Sequence, residues 1–178
     1  MGLNTVIVDD EARRLIGVWS EPVPACDPVE QGAVRRFAQA IMDDDPSYAA
    51  GGPAQARFGG PVAPPLFPNY MLRRPLGTPD LLQERAHDAG FDGVVPAPGL
   101  PPIAALAHLP VLNAGSEFEF YRWALHGEAV SVRQRYADIY EKPSAKGMAV
   151  YVVIESEIHT ADGELLLRAR RTLLRRAG

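Results

Sequence analysis

Apolar positions along the chain follow two spacings, helical early and alternating late. Val34, Phe37, Ala38 and Ile41 recur at i, i+3, i+4 and i+7, the stripe of one amphipathic helix. The run Asp27-Pro28-Val29-Glu30 ahead of it predicts the start, with Asp27 as N-cap, Pro28 at N1 and Glu30 closing a capping box. The helix should stop near residues 43–45, because Pro46 disfavours the α conformation just before it. Three carboxylates there, Asp43, Asp44 and Asp45, oppose the negative end of the helix dipole. A local rule broken in this way marks a place to look for function.

The last third alternates. Residues 116–122 set Phe118 and Phe120 on one face and Glu117 and Glu119 on the other. Residues 129–140 follow, with Val130, Val132, Tyr136 and Tyr140 expected on a common face. Residues 142–147 read as a turn and residues 148–160 as a strand rich in β-branched side chains. Asp162-Gly163 is a hairpin signal leading into a strand over residues 164–175. Four such strands with short connections predict an antiparallel meander, apolar on one face. Helix first and sheet later gives an α+β class, read as a single domain over residues 1–178.

Between these regions the texture changes. Eleven of the seventeen prolines lie from Pro61 to Pro110, so regular structure cannot run far. A short helix is predicted after Pro65, carrying Phe67, Tyr70, Met71 and Leu72, and a second turn or helix over residues 81–89. The helix meets Pro68 inside its first turn and Pro75 soon after, which limits it to about ten residues. The insertion, about residues 75–112, carries Phe91, Val94, Val95, Leu100, Ile103 and Leu106, too apolar for a linker. It is expected to pack over the sheet and to leave a roomy, adaptable cavity.

Bulk properties narrow the class. Apolar residues are 47% and charged residues 22%, as in ordinary globular proteins. A net charge of −4 gives no field favouring nucleic acid or a membrane surface. The single cysteine, Cys26, excludes an internal disulfide and lacks the basic setting of a nucleophile. With no signal-peptide pattern and no apolar run of membrane length, the expected location is cytoplasmic. His87, His108, His126 and His159 have no ligand spacing, so no metal site is expected.

Four segments carry a resemblance. Met42-Asp43-Asp44-Asp45-Pro46-Ser47-Tyr48, followed after five residues by Ala54, is similar to the Gly-Asp-x-Asn-Pro-aliphatic-His motif of R-specific enoyl-CoA hydratases of the MaoC-like group. Asp43, Pro46 and Ala54 match; Met42, Asp45, Ser47 and Tyr48 do not. Gly59-Gly60-Pro61-Val62-Ala63-Pro64-Pro65-Leu66-Phe67 resembles the Gly-Gly-x-Val-Ala-Pro-Pro-x-Phe segment of the N-terminal halves of that family. Residues 112–122 and 138–142 resemble it again, and the likeness spans roughly residues 15–176.

The resemblance implies a hotdog fold, a curled antiparallel sheet around a short central helix, paired with a second hotdog. It implies an acyl thioester, carried by coenzyme A or an acyl carrier, as substrate in a tunnel between the two, and no further cofactor. Hydrating an enoyl thioester needs a base for water, a proton donor and a hydrogen-bond donor for the enolate oxygen. In catalytic halves of the family these are the motif Asp, the motif His and a Gly amide. Here Asp43 keeps the carboxylate, Tyr48 replaces the His, and the Gly falls at Pro64 or Pro65, which have no N–H. The amide of Leu66 could substitute. Pro65, Leu66, Phe67 and Arg73 are the substrate-binding candidates.

Plainer readings stand beside these. Asp43 could only cap a turn, Tyr48 could only pack, and Arg168, Arg170, Arg171, Arg175 and Arg176 could only solvate an outer face and guard a sheet edge. Those arginines, with Arg73 and Arg74, could instead meet coenzyme A phosphates. The resemblance therefore favours an accessory, non-catalytic hotdog subunit working with a catalytic hotdog partner. A self-dimer using Asp43 and Tyr48, or an acyl-thioester-binding module without catalysis, remain as alternatives.

Overall fold

A computed structural model describes residues 7–73, 75–91, 95, 97–144 and 147–176. Five antiparallel strands form one sheet in the order β1-β3-β4-β5-β2. The chain enters through α1 (Asp10–Arg14), a helix capped by the Asp9 carboxylate. Next come β1 (Val23–Pro24), α2 (Gln31–Ala40), α3 (Ala54–Phe58), α4 (Phe67–Tyr70) and α5 (Leu81–Glu84). The long strands follow: β2 (Val111–Phe120), β3 (Val130–Ser144), β4 (Gly147–Thr160) and β5 (Leu165–Arg175). Among the described residues no helix is long and apolar enough to cross a membrane.

The meander is shorter than the sequence reading. Only β3, β4 and β5 run in sequence order; β2 passes behind them and pairs with β5 at the far edge. Residues 121–129 make that passage, and they are pinned by Arg122, which binds both Glu128 and Glu164. The opposite edge is covered: Gly17 and Ser20 donate to the carbonyls of Tyr136 and Gln134 on β3, and β1 pairs beyond them. The outer edge of β2 is thus the one long strand edge left open among the described residues.

A register shift between Tyr136 and Asp138 overturns one expected face. The extra residue reverses the alternation, so Ile139 joins Tyr136 in the core while Tyr140 stacks on Tyr151 on the other side, ring centroids 5.1 Å apart. Two apolar clusters fill the inner face. One joins Val29, Val34, Phe67, Val132, Ile158 and Leu167; the other joins Val8, Leu106, Leu109, Tyr136, Val150 and Val152.

The helix starts also differ from expectation. α2 begins at Gln31, and no side chain caps it. Asp27 is unavailable because Val29 is held extended, its N–H on the Glu128 carbonyl and its own carbonyl on Gly127. α4 has four residues rather than about ten, and Pro75 bars a continued helix from using the carbonyl of Met71. So short a helix has no stability of its own. It is held by Phe67, which is buried against β3, β4 and β5.

The insertion divides in two. Residues 97–110 are pinned over the sheet: Gln134 Nε2 donates to the Pro98 carbonyl, the Tyr136 hydroxyl to Pro101, and Arg175 Nη1 to the carbonyls of Leu106 and Leu109. Residues 75–91 are mostly exposed, and Leu76, expected to help cover the sheet, faces solvent completely. Val94 lies outside the described residues.

Candidate functional site

The degenerate motif is a helix end and the turn that follows. Asp43 N–H reaches the Ala38 carbonyl and Met42 N–H the Gln39 carbonyl, the paired bonds that close a helix through a left-handed residue. Met42 is that residue, with φ of 56°. The resembled motif has glycine at this place, and the geometry gives the reason. Asp45 caps the next turn, Pro46–Tyr48, by accepting from Ser47 N–H at 2.8 Å, which lowers its carboxyl pKa. Gly52 is equally constrained: a Cβ there would lie 2.1 Å from the Pro46 carbonyl oxygen.

Asp43 and Tyr48 come together. The Tyr48 hydroxyl donates to Asp43 Oδ2 at 2.6 Å, and Asp45 N–H donates to Asp43 Oδ1 at 3.3 Å. Both carboxylate oxygens are thus engaged. Burial first, then the bond to Asp43 and its charge, push the Tyr48 phenol far above its usual value. Tyr48 therefore keeps its proton and spends it on Asp43, which suits neither base nor acid.

The second segment is built beside the first. Val62 N–H donates to the Ser47 carbonyl and Ala63 N–H to Ala124. Pro64 is buried and, with Pro65, offers no amide. Leu66 N–H finds no acceptor among the described residues, but it stands at the head of a helix of four residues. Such a helix contributes little dipole. Arg73 lies over the Tyr70 ring, 4.8 Å from guanidinium carbon to centroid, and donates to the Tyr70 carbonyl. Arg74 lies outside the described residues.

These residues do not share one pocket. Asp43 and Tyr48 border an open hollow of about 820 Å³ with Gln31, Arg35 and Met42. Arg73 borders a larger cavity of about 1040 Å³ on the inner face of the sheet, between the two apolar clusters. Its floor is Gln134, Ser156, Ala169 and Phe118, and its roof comes from residues between 75 and 83 and from Val95, Ala97 and Pro98. Neither hollow is lined by Pro65, Leu66 or Phe67.

The arginines of β5, Arg168, Arg170, Arg171 and Arg175, also separate. β5 lies inside the sheet, so they guard no edge. Arg168 binds Glu157 on the outer face, where Arg133 binds it too and Arg135 binds Glu155. Arg175 is committed to the carbonyls of residues 106 and 109, and Arg171 faces inward beside Ile154 and Ser116. Cys26 is exposed and its thiol donates to the Arg73 carbonyl. Among the described residues no three His, Cys, Asp or Glu are grouped to hold a metal ion.

Comparison with known proteins then decides the family. The model for the FAS1-like, dehydratase domain region matches residues 14–169. The chain belongs to this MaoC-like dehydratase family. Solved structures support the hotdog fold. The ChsH1–ChsH2 complex of Mycobacterium tuberculosis contains a chain 24% identical with a TM-score of 0.65, covering 90% of this chain and 86% of that one. The C-terminally truncated HadBC (3R)-hydroxyacyl-ACP dehydratase complex of the same organism gives 21%, 0.58, 90% and 96%. The R-hydratase PhaJ1 of Pseudomonas aeruginosa gives 12%, 0.55, 89% and 82%. No curated protein matches.

Within the family's fold, sequence reasoning missed Gln134 and Ser156 on the inner face and offered Arg171 only as an outer-face residue or a contact to coenzyme A phosphates. Alternation alone could have exposed this set, once Val132 and Ile158 were placed in the core. His126 was seen but given no role. Its N–H holds the Pro61 carbonyl, its ring bonds the Val62 backbone, and its Nε2 is buried without a partner.

Proposed function

We propose that this chain is the accessory, non-catalytic hotdog half of a heteromeric enoyl-thioester hydratase or 3-hydroxyacyl-thioester dehydratase. The observation that carries this reading is the Asp43–Tyr48 pair. Tyr48 O–H and Asp45 N–H each donate to one Asp43 oxygen, and a tyrosine stands where the resembled motif has its histidine. The absent Pro64 and Pro65 amides remove the usual support for an enolate oxygen. A catalytic partner would supply Asp, His and amide, while this chain shapes the acyl end of a shared tunnel.

The open edge of β2 is where such a partner would dock. Leu112, Phe118, Phe120 and Tyr121 are exposed along it or just beyond, and the edge offers a full row of unpaired backbone groups. The large cavity borders this strand through Asn113, Ser116 and Phe118, so a second hotdog added there would close its open side. That two of the similar structures are named as complexes of two different chains agrees with this arrangement. At about 1040 Å³ the cavity is at the upper end of ordinary ligand pockets, which suits a bulky acyl group.

The test is reconstitution. The chain should co-purify with a hotdog protein bearing an intact Asp…His motif, and the complex should hydrate enoyl-CoA. Asp43→Asn in this chain should leave the rate of the complex within about twofold, since only a small change in free energy is involved. Loss of the rate with the complex still assembled would overturn the reading.

A further inference from the structure

The inner face of a hotdog sheet is expected to be apolar where it meets an acyl chain, and at both ends of this one it is. The middle departs from that pattern. Gln134 and Ser156, paired in register, replace the apolar residues found on either side, and the Ser156 hydroxyl donates to Gln134 Oε1. Gln134 is 5% exposed and its amide is spent on the Pro98 carbonyl, so this polar floor is fixed before any ligand arrives. Ser156 has given its hydrogen and keeps acceptor capacity towards the cavity.

Beside that floor stands Arg171. It is in register with Ile154 of β4 and Ser116 of β2, which puts it on the inner face. It lines the large cavity, and also a neighbouring one of about 380 Å³ whose walls include Phe91, Ile103 and Leu173. The arginines of the outer face, Arg133, Arg135 and Arg168, each hold a glutamate. Arg171 has no partner among the described residues. The carboxylate on the wall of the large cavity, Asp80, already caps α5 through Leu82 N–H. With Arg73 and Arg170 on the same wall and Asp80 as the carboxylate among the lining residues, the cavity carries net positive charge.

A plain alkyl chain would strip water from these groups and return nothing. A carboxylate would accept the two parallel N–H bonds of a guanidinium fork. We propose that Arg171 is a specificity-determining residue, and that the acyl group taken by this cavity carries a carboxylate at the end remote from the thioester. The proposal deepens the accessory-subunit reading and rests on it. It makes the favoured ligand a monothioester of a dicarboxylic acid rather than a simple fatty acyl thioester.

Calorimetric titration of the chain in complex with its hotdog partner, with two saturated coenzyme A esters of equal chain length, tests this, one ester ending in methyl and the other in carboxylate. The carboxylate-tipped ester should bind roughly tenfold more tightly, the gain of one charge-assisted hydrogen-bonded pair. Arg171→Gln should erase that preference without changing the methyl-tipped ester, and Arg171→Lys should retain part of it. Equal binding of both esters by the unaltered chain overturns the proposal. So does an equal loss of both in Arg171→Gln, which would make the arginine a contact to coenzyme A itself. If neither ester binds, the accessory-subunit reading falls as well, a result distinct from binding without preference.

Discussion

Met42 sits where its backbone favours glycine and its side chain is 91% exposed. The left-handed conformation costs a residue with a Cβ about 1–2 kcal/mol, partly offset because glycine loses more chain entropy on folding. Met42→Gly should therefore stabilise the chain by roughly 0.5–1 kcal/mol, a rise in Tm of about 1–4 °C. A lower Tm would mean that the methionine side chain holds a contact worth more than the strain. Gly52→Ala should do the reverse, because backbone at 2.1 Å cannot yield as a flexible side chain does. His126 sets the pH response at this scale. Burial holds its imidazole below the ordinary value of 6.5, so the unfolded chain takes up the proton first. Stability should fall as pH drops below about 6.5, through the lowered folded value. Denaturant titrations at pH 7 and pH 5.5 check this, and His126→Gln should flatten the slope between them.

At the scale of elements, helix α4 and the outer-face ladder depend on single residues. Phe67 packs edge-on against Phe37, 5.5 Å between centroids, and is 1% exposed. Phe67→Ala should cost about 3–5 kcal/mol, whereas exposed Leu66→Ala should change little. Comparable losses from both would show that α4 is not anchored through Phe67. On the other face Glu157 is 5% exposed between Arg133 and Arg168. Burial alone would raise its carboxyl pKa, but the hydrogen bonds and charges of the two arginines outweigh burial and hold it below 4.5. Its contribution is present above that value and is lost as pH falls through the folded one. Strand existence was readable from alternation, because period-two patterning reports burial directly. The place of β2 in the sheet was not, since nothing local distinguishes a neighbour in sequence from a neighbour in space. Nor was the shift after Tyr136, which one unpaired residue creates without any glycine or proline to mark it. Helix α1 was legible and passed over: Asp9, Asp10 and Glu11 lead it and Arg13 and Arg14 end it.

At the scale of the whole molecule, the family was legible in the order of four segments, and the family match over residues 14–169 bears that out. The Asp43–Tyr48 contact was not legible. Two side chains five residues apart can point together or apart, and here a three-residue turn decides the matter. The same turn commits the Tyr48 proton to Asp43 and gives each Asp43 oxygen one internal donor. On the proposed reading, the open edge of β2 and the open side of the large cavity make the isolated chain half of a site. The most direct measurement is the rate of enoyl-CoA hydration by the purified chain alone, over short and bulky acyl groups and at protein concentrations that permit self-association. Our account predicts no turnover above the uncatalysed rate for any of them. Turnover that Asp43→Asn abolishes without lowering Tm would contradict it and make the chain an enzyme in its own right.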